Sequence, residues 1–534
     1  MSVKLAKAKE SKKISIMDHA GNILAWSVLI VVFGVIPFYF KNGYDQIATR
    51  KYLCLMSCGK YIFIAGLIYG IAKLTEVIVK HEKISWKKVS TADVFVIPFL
   101  IFAFLSHLFS EHKETGNSYQ GLPDWFKEGS LYGTKGWYMG FMTFAVFVLI
   151  YLLVGHCLKY NVRKVYIPAL AFMTVECLWG ILNRYRISPH DMKYSYTDGV
   201  FLGSLGNFNW FAGYTAVVVP LVWGLYAAAD SNIKKIVFGA IDAIGLMMIV
   251  LNNSDSGIFA LAVSTCVLLA YSLTDRARMK AFLEIMIHLF TVLSIVGVID
   301  MFAHDIRNAA DSMAEILIGP QAIAVLIVLI LIRFWADKGK EYPEKIMEKV
   351  LKIYVIFIVA AVVLTVTLIA VNTASGGKLP LIGQNPFFLF EGEWGSGRYA
   401  TWTLGLKTFT HESFLEKLVG TGPDMMFYEL TSHADLHEIW NGIYGGARLT
   451  NAHNEWITLL ADHGIMGLAA FVGALASGVY VCYKHSSKHP EVIGLAVAVI
   501  SYTANNMFSF ETITSTAALF CVLGMISAFE RSNA

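Results

Sequence analysis

A chain of 534 residues with hydrophobic side chains at 56% of its positions and charged ones at only 15% cannot cover soluble domains of that size, since about 25% charged residues is usual. Most of its surface must face lipid or other apolar helices. The formal net charge of +4 comes from Lys and Arg scattered over short connections, with no basic tract or aromatic-basic stripe, which argues against nucleic acid as a partner.

The basic N-terminus, residues 1–13, leads into an apolar run with no small-residue cleavage site, so it is expected to remain as a first span rather than a cleaved signal. Runs long enough for a bilayer follow at 22–40, 61–79, 92–109, 137–156, 165–183, 210–229, 236–251, 257–273, 282–302, 321–335, 351–371, 456–483, 492–510 and 513–528. The seventh and tenth of these are the shortest. The expected fold is an all-α polytopic membrane protein with about 14 transmembrane helices. Residues 1–371 hold eleven of them, 372–452 form one large loop, and 453–534 hold the last three. Threading the chain alternately gathers the N-terminus, KHEKISWKK, KYNVRK, SNIKK, TDRARMK, the segment 338–349 and YKHSSKHPE on one side. Their Lys and Arg content makes that side cytoplasmic, with both termini there and the large loop outside.

The seven cysteines sit in or beside apolar segments, and none falls in 372–452, so no disulfide framework is expected. Within the loop, THESFLEKLVG and TSHADLHEIWNGIY mix aromatic, aliphatic and charged positions at helical spacing and are read as helices lying over the membrane face. No internal repeat, Walker sequence, dinucleotide glycine fingerprint or HExxH is present. Ser396 between two glycines lacks the GxSxG spacing of a serine nucleophile. His433 and His437, with Glu438, share the i, i+4 spacing that can clamp a metal, but no further ligand is evident and a solvated amphipathic turn is preferred; no metal or other cofactor is expected. Glu176, Asp242 and His107 lie within or near spans, where ionisable groups are expensive, and structural and functional roles stand about even for them.

Three clusters on the outer side carry more chemistry. Gly203-Ser204-Leu205-Gly206-Asn207-Phe208-Asn209-Trp210 brings two Asn to the mouth of a span, where one can cap the helix and the exposed N-terminus favours anions. In Gly395-Ser396-Gly397-Arg398 an Arg on a glycine-flanked turn can approach phosphate bidentately. Arg448-Leu449-Thr450-Asn451-Ala452-His453-Asn454-Glu455-Trp456 places a His, a candidate base, at the start of a span.

In this order, GSLGNFNWFAGY, SGRYATW running into LVGTGPDMMF, and NAHNEWITLLADHGIMGL resemble the O-antigen ligase and polymerase family of bacterial membrane glycosyltransferases. The last phrase follows the family's His-Asn, apolar, acidic, Gly-apolar-x-Gly pattern, with Asp462 where many members carry Glu. The resemblance implies a fold of the GT-C type in the bacterial inner membrane and an undecaprenyl-diphosphate-linked glycan as donor. It also implies His453 as base, and Arg398, Arg448, Asn207, Asn209 and Asn454 as substrate-binding residues. Two elements depart from the family. Asp198-Gly199-Val200-Phe201 stands where many members have an Arg, and Asn253-Ser254-Asp255-Ser256-Gly257 stands where many have Ser-Arg-Gly. Arg184 and Arg186, in the outer loop of the paired Asn, are candidates to substitute for the missing cation; anchoring at the membrane surface is the alternative.

The chemistry expected is direct displacement. Arg398 and Arg448 stabilise the departing diphosphate, His453 takes the proton of an acceptor sugar hydroxyl, and C1 inverts. The acceptor is a glycan or a second lipid-linked glycan. The span count and the missing Ser-Arg-Gly tilt the expectation toward a polymerase of surface polysaccharide repeat units. The alternatives are a ligase passing finished glycan to another acceptor and, in a different class, a flippase of lipid-linked glycan.

Overall fold

The computed structural model describes residues 16–81, 89–117, 119, 122–159, 161–190, 192, 200–303, 307, 313–338 and 344–533. The basic N-terminus, the connecting stretches 82–88 and 339–343, and Asp198-Gly199 lie outside the described residues. The longer helices, in chain order, are α1 Ile16–Phe38, α2 Ile47–Val79, α3 Asp93–Phe109, α4 Phe141–Cys157, α5 Ile167–Arg184 and α6 Phe208–Ala227. They continue with α7 Asn232–Leu251, α8 Asp255–Ser272, α9 Arg276–Ala303, α10 Pro320–Lys338, α11 Glu344–Ala374 and α12 Trp394–His411. The set closes with α13 Phe414–Val419, α14 Met426–Ser432, α15 Ala434–Tyr444, α16 Glu455–His485, α17 Ile493–Asn505 and α18 Ile513–Asn533. The one sheet among the described residues is a two-residue antiparallel pair, Phe201–Leu202 against Gly206–Asn207. The protein is thus an all-α membrane-type fold. Each of the fourteen apolar runs falls on a helix, and nine helices among the described residues are long and apolar enough to cross a bilayer: α1, α2, α6, α8, α9, α10, α11, α16 and α18. The two shortest runs extend into the full helices α7 and α10.

Helices α6 and α18 are buried nearly all round and form the core, α6 packed on α17 and α18 on α4, with α16 laid along α3. At the periphery α2, α10 and α11 turn large apolar side chains outward, among them Leu67, Ile71, Ile327, Leu331, Ile356 and Phe357. Side chains of that kind in such numbers need a hydrocarbon solvent.

One end of the bundle gathers the segments between α3 and α4, α5 and α6, α7 and α8, α11 and α16, and α17 and α18. Contacts there include His112 to Glu429, Asn209 to Ser254 and Arg398 to Phe508. At the other end Thr91 meets Glu530, Lys159 meets Asp18 and Arg278 meets Ser487. The large loop is docked on the first end by Asp462 of α16. Its carboxylate accepts the backbone N–H groups of Asp424, Met425 and Met426 at 3.0, 3.1 and 2.8 Å. Asp424 in turn accepts from Thr134 N and Met139 N at 2.7 and 3.0 Å, which ties the loop to the approach of α4. Two residues on, Gly464 adopts φ 66°, ψ −176°, and a Cβ there would lie 2.5 Å from the carbonyl of Leu418. The phrase LLADHGIMGL therefore encodes a helix interrupted where the loop presses against it.

Candidate functional site

At this first end a cavity of about 590 Å³ is lined by Asn209, Asn253, Asp255, Ser396, Arg398, Arg448 and His453, with Tyr444 and Thr401 on its wall. Four separate segments supply these groups. A second cavity of about 330 Å³ shares Asp255, Ser396 and Arg398 with the first but is otherwise mostly apolar, bounded by Phe259, Met313, Pro386, Phe387, Trp394 and Phe508, with Glu393 at its edge.

His453 is set by an unusual backbone, φ 51°, which its N–H to Asn451 Oδ1 at 2.9 Å helps to hold. Its ring stands edge-on to Phe510 at 5.2 Å, and Nδ1 is buried with no hydrogen-bond partner among the described residues. Burial, with the Arg398 charge nearby, pushes the imidazole down to about 4, so it is neutral at pH 7. Arg398 begins the regular part of α12, after Gly395, Ser396 and Gly397 all take positive φ. Its guanidinium donates to Phe508 O through Nε and Nη2 (2.9 and 2.7 Å) and to Gly395 O through Nη1 (2.6 Å). These acceptors are neutral carbonyls, so the fork is fixed while its charge is kept. Asp255 borders the same space without forming an ion pair with it.

Arg448 lines the cavity too, but the buried carboxylate of Glu128 binds its Nη2, and Tyr119 Oη and Tyr428 Oη accept from it at 3.0 and 2.9 Å. Its charge is thus already compensated by Glu128, whereas Arg398 is held by neutral carbonyls. Asn209 lines the cavity, its Oδ1 accepting from Ser254 Oγ at 2.8 Å. Asn207 does not; its Oδ1 caps α6 by accepting from Asn209 N at 2.8 Å. Asn454 caps α16 through Ile457 N at 3.1 Å and donates to Met507 O at 3.0 Å, so it too is a fastener outside the cavity. Arg184 is buried, 1% exposed, and donates to Asn252 O at 2.5 Å, because α5 runs on to that residue and turns it into the bundle. Arg186 is exposed and lines neither outer cavity. Neither Arg184 nor Arg186 lines the outer cavities. Asn253 and Asp255 face the first cavity.

The other flagged groups have structural partners. Glu176 accepts from Ser204 N, Ser204 Oγ and Leu205 N (2.7, 2.6 and 3.1 Å), and His107 Nδ1 meets Ser130 Oγ at 2.8 Å. His433 turns to Glu429 at 3.0 Å while the His437 ring packs on Trp440, so the two diverge. Among the described residues no three His, Cys, Asp or Glu side chains are arranged to hold a metal. Reading the sequence alone missed Glu128, Phe508 and Phe510. The last two were absorbed into an apolar run, although α17 ends at Asn505 and both belong to the irregular segment beneath His453 and Arg398.

Glu412, within the docked loop, is 3% exposed and neither carboxylate oxygen has a partner among the described residues. Burial, and then Glu429, push its carboxyl up to about 9. The folded protein therefore holds a proton that the unfolded chain lacks at pH 7, and the stabilising contribution is full below the ordinary carboxyl range and is lost as pH rises toward 9. At about 1.4 kcal/mol per pH unit the linkage reaches at most ~3 kcal/mol at pH 7. Glu412→Gln should raise the melting temperature in detergent at pH 7.5 and leave it nearly unchanged at pH 4.5; equal shifts at both would reject this account.

Comparison of the chain with known protein families gives no match, and none of the curated proteins matches it either.

Proposed function

We propose that this protein is an inverting glycosyltransferase of the bacterial inner membrane with a GT-C-like arrangement of about 14 spans, both termini cytoplasmic and the 372–452 loop outside. It takes a glycan from an undecaprenyl diphosphate and joins it to a sugar hydroxyl, most simply polymerising repeat units. The observation that carries this reading is the convergence of His453 and Arg398 on one cavity that continues into an apolar one. A lipid-linked donor has those three parts: a prenyl chain, an anionic bridge and a polar glycan. In the reaction the bond between C1 and the phosphate oxygen breaks as the acceptor oxygen bonds C1. The acceptor proton passes to the neutral imidazole and the lipid diphosphate leaves against the guanidinium. Of the residues expected to bind substrate, Arg398 is assigned the anion, Asn209 and Arg448 the polar groups of the glycan, and the others support the walls.

The test is purified protein supplied with a single lipid-linked repeat unit. A polymerase makes a ladder of longer products without nucleotide or divalent cation. A substrate that stays unreacted until an unrelated acceptor is added makes the protein a ligase, and relocation across a vesicle membrane without new bonds makes it a flippase.

A further inference from the structure

Asp242 lies on α7, an apolar helix, and is wholly buried. Its Oδ1 accepts from Trp223 Nε1 of α6 at 2.8 Å, and its Oδ2 lies 2.8 Å from His288 Nδ1 of α9. A carboxylate facing an imidazole inside an apolar bundle is costly to build and holds an exchangeable proton. From the geometry we infer that Asp242 and His288 form a proton-binding site within the bundle, a role separate from the outer cavities.

The surroundings give the site a direction. The Tyr226 ring stands edge-on to His288 at 5.2 Å, and its hydroxyl donates to Glu284 Oε2 at 2.9 Å, one turn from His288 on α9. Glu284 is held by Lys235 Nζ at 2.8 Å and by Arg333 Nη2 at 2.6 Å, and Arg333 reaches Asp337 at 2.7 Å. A line of ionisable groups thus runs from the pair to the Lys-rich end of the bundle. Toward the outer cavity the line stops at Trp223, because an indole has an N–H to give and no lone pair to receive a proton. Beyond it lies a void of only about 10 Å³, bordered by Trp223, Thr215, Ser264 and Ser501, in which Ser264 Oγ has no partner among the described residues.

The remaining charged groups on helices packed against α7 are engaged elsewhere. On α5, Glu176 binds Ser204 and Arg184 binds Asn252, both toward the outer end. On α8, Asp255 borders the outer cavities and Tyr271 binds Ser486 O. Uptake of a proton at this pair turns an imidazole hydrogen bond into an imidazolium–carboxylate pair joining α7 to α9. Loss of the proton returns the neutral ring.

The experiment is ¹⁵N NMR of histidine-labelled full-length protein in lipid nanodiscs from pH 5 to 9, with His288→Gln to assign the resonance. The expected result is a reversible change of His288 from neutral ring to imidazolium within that range, displaced by about one pH unit or more in Asp242→Asn. If either substitution prevents folding, diethyl pyrocarbonate modification of His288 in the unaltered protein, read by mass spectrometry, serves instead: several-fold more labelling at pH 8 than at pH 6 supports the site, because only a neutral imidazole reacts. A His288 locked in one protonation state, a transition indifferent to Asp242→Asn, or equal labelling of His288 at pH 6 and pH 8 would each overturn the inference and leave the pair as a static fastener.

Discussion

Replacing His453 with alanine should lower transfer by about 10²–10⁴-fold, the usual contribution of a positioned general base, while expression and membrane insertion stay normal. The reason lies in how the residue is presented. It precedes α16, and its Nδ1 is buried without a partner among the described residues. Because burial and Arg398 hold the imidazole near 4, it is neutral and ready to accept a proton across the physiological range. The sign follows from that depressed value: the active form is lost only as pH falls through about 4, where an unperturbed imidazole would be lost near 6.5. The profile of kcat/KM, which reports the free enzyme, should be flat from pH 5.5 to 7.5. A limb near 6.5 would point to another base, and near-normal turnover of His453→Ala would remove the assignment altogether.

Much of the helical framework was legible because hydrophobic runs have only one low-energy solution in lipid, a helix that satisfies its own backbone. The reading failed at helix ends, where sequence and hydropathy part company. Arg184 looked like a loop cation, yet α5 extends to that position and carries it inward to Asn252. Conversely, Met507, Phe508 and Phe510 looked like the last turn of a span, yet the chain leaves the helix at Asn505 and uses their carbonyls and rings as the floor of the site. No periodicity could announce either outcome, since both depend on what the neighbouring segment needs.

The candidate site was legible in a different way. His453 and Arg398 stood out through residue types in phrases, not through any spacing that joins them, and they meet because Asp462 and Asp424 dock the intervening loop. Part of the LLADHGIMGL phrase thus reflects docking rather than chemistry. The pairing of Arg448 with Glu128 was invisible because the partners are 320 residues apart. Once seen, it separates two arginines that looked equivalent: one is a compensated hydrogen-bonding group, the other a charge held in place by carbonyls alone.

That difference sets the last expected result. Arg398→Lys keeps a positive charge but should reduce transfer by at least about tenfold, and by more than the same change at Arg448. A guanidinium reaches Phe508 O with two N–H groups and Gly395 O with a third, which fixes its plane between the α17–α18 segment and the Gly395–Gly397 turn. An ammonium is a compact, strongly hydrated point charge on a flexible stem and cannot satisfy both carbonyls while presenting the same face to a diphosphate. Substitution could act by loosening the site walls alone, so the measurement pairs single-turnover rates with the melting temperature of each variant. A rate lost at unchanged melting temperature places Arg398 on the substrate. An equal fall in both assigns it to holding the Phe508 segment, and parental activity in the lysine variant would show that charge alone suffices there.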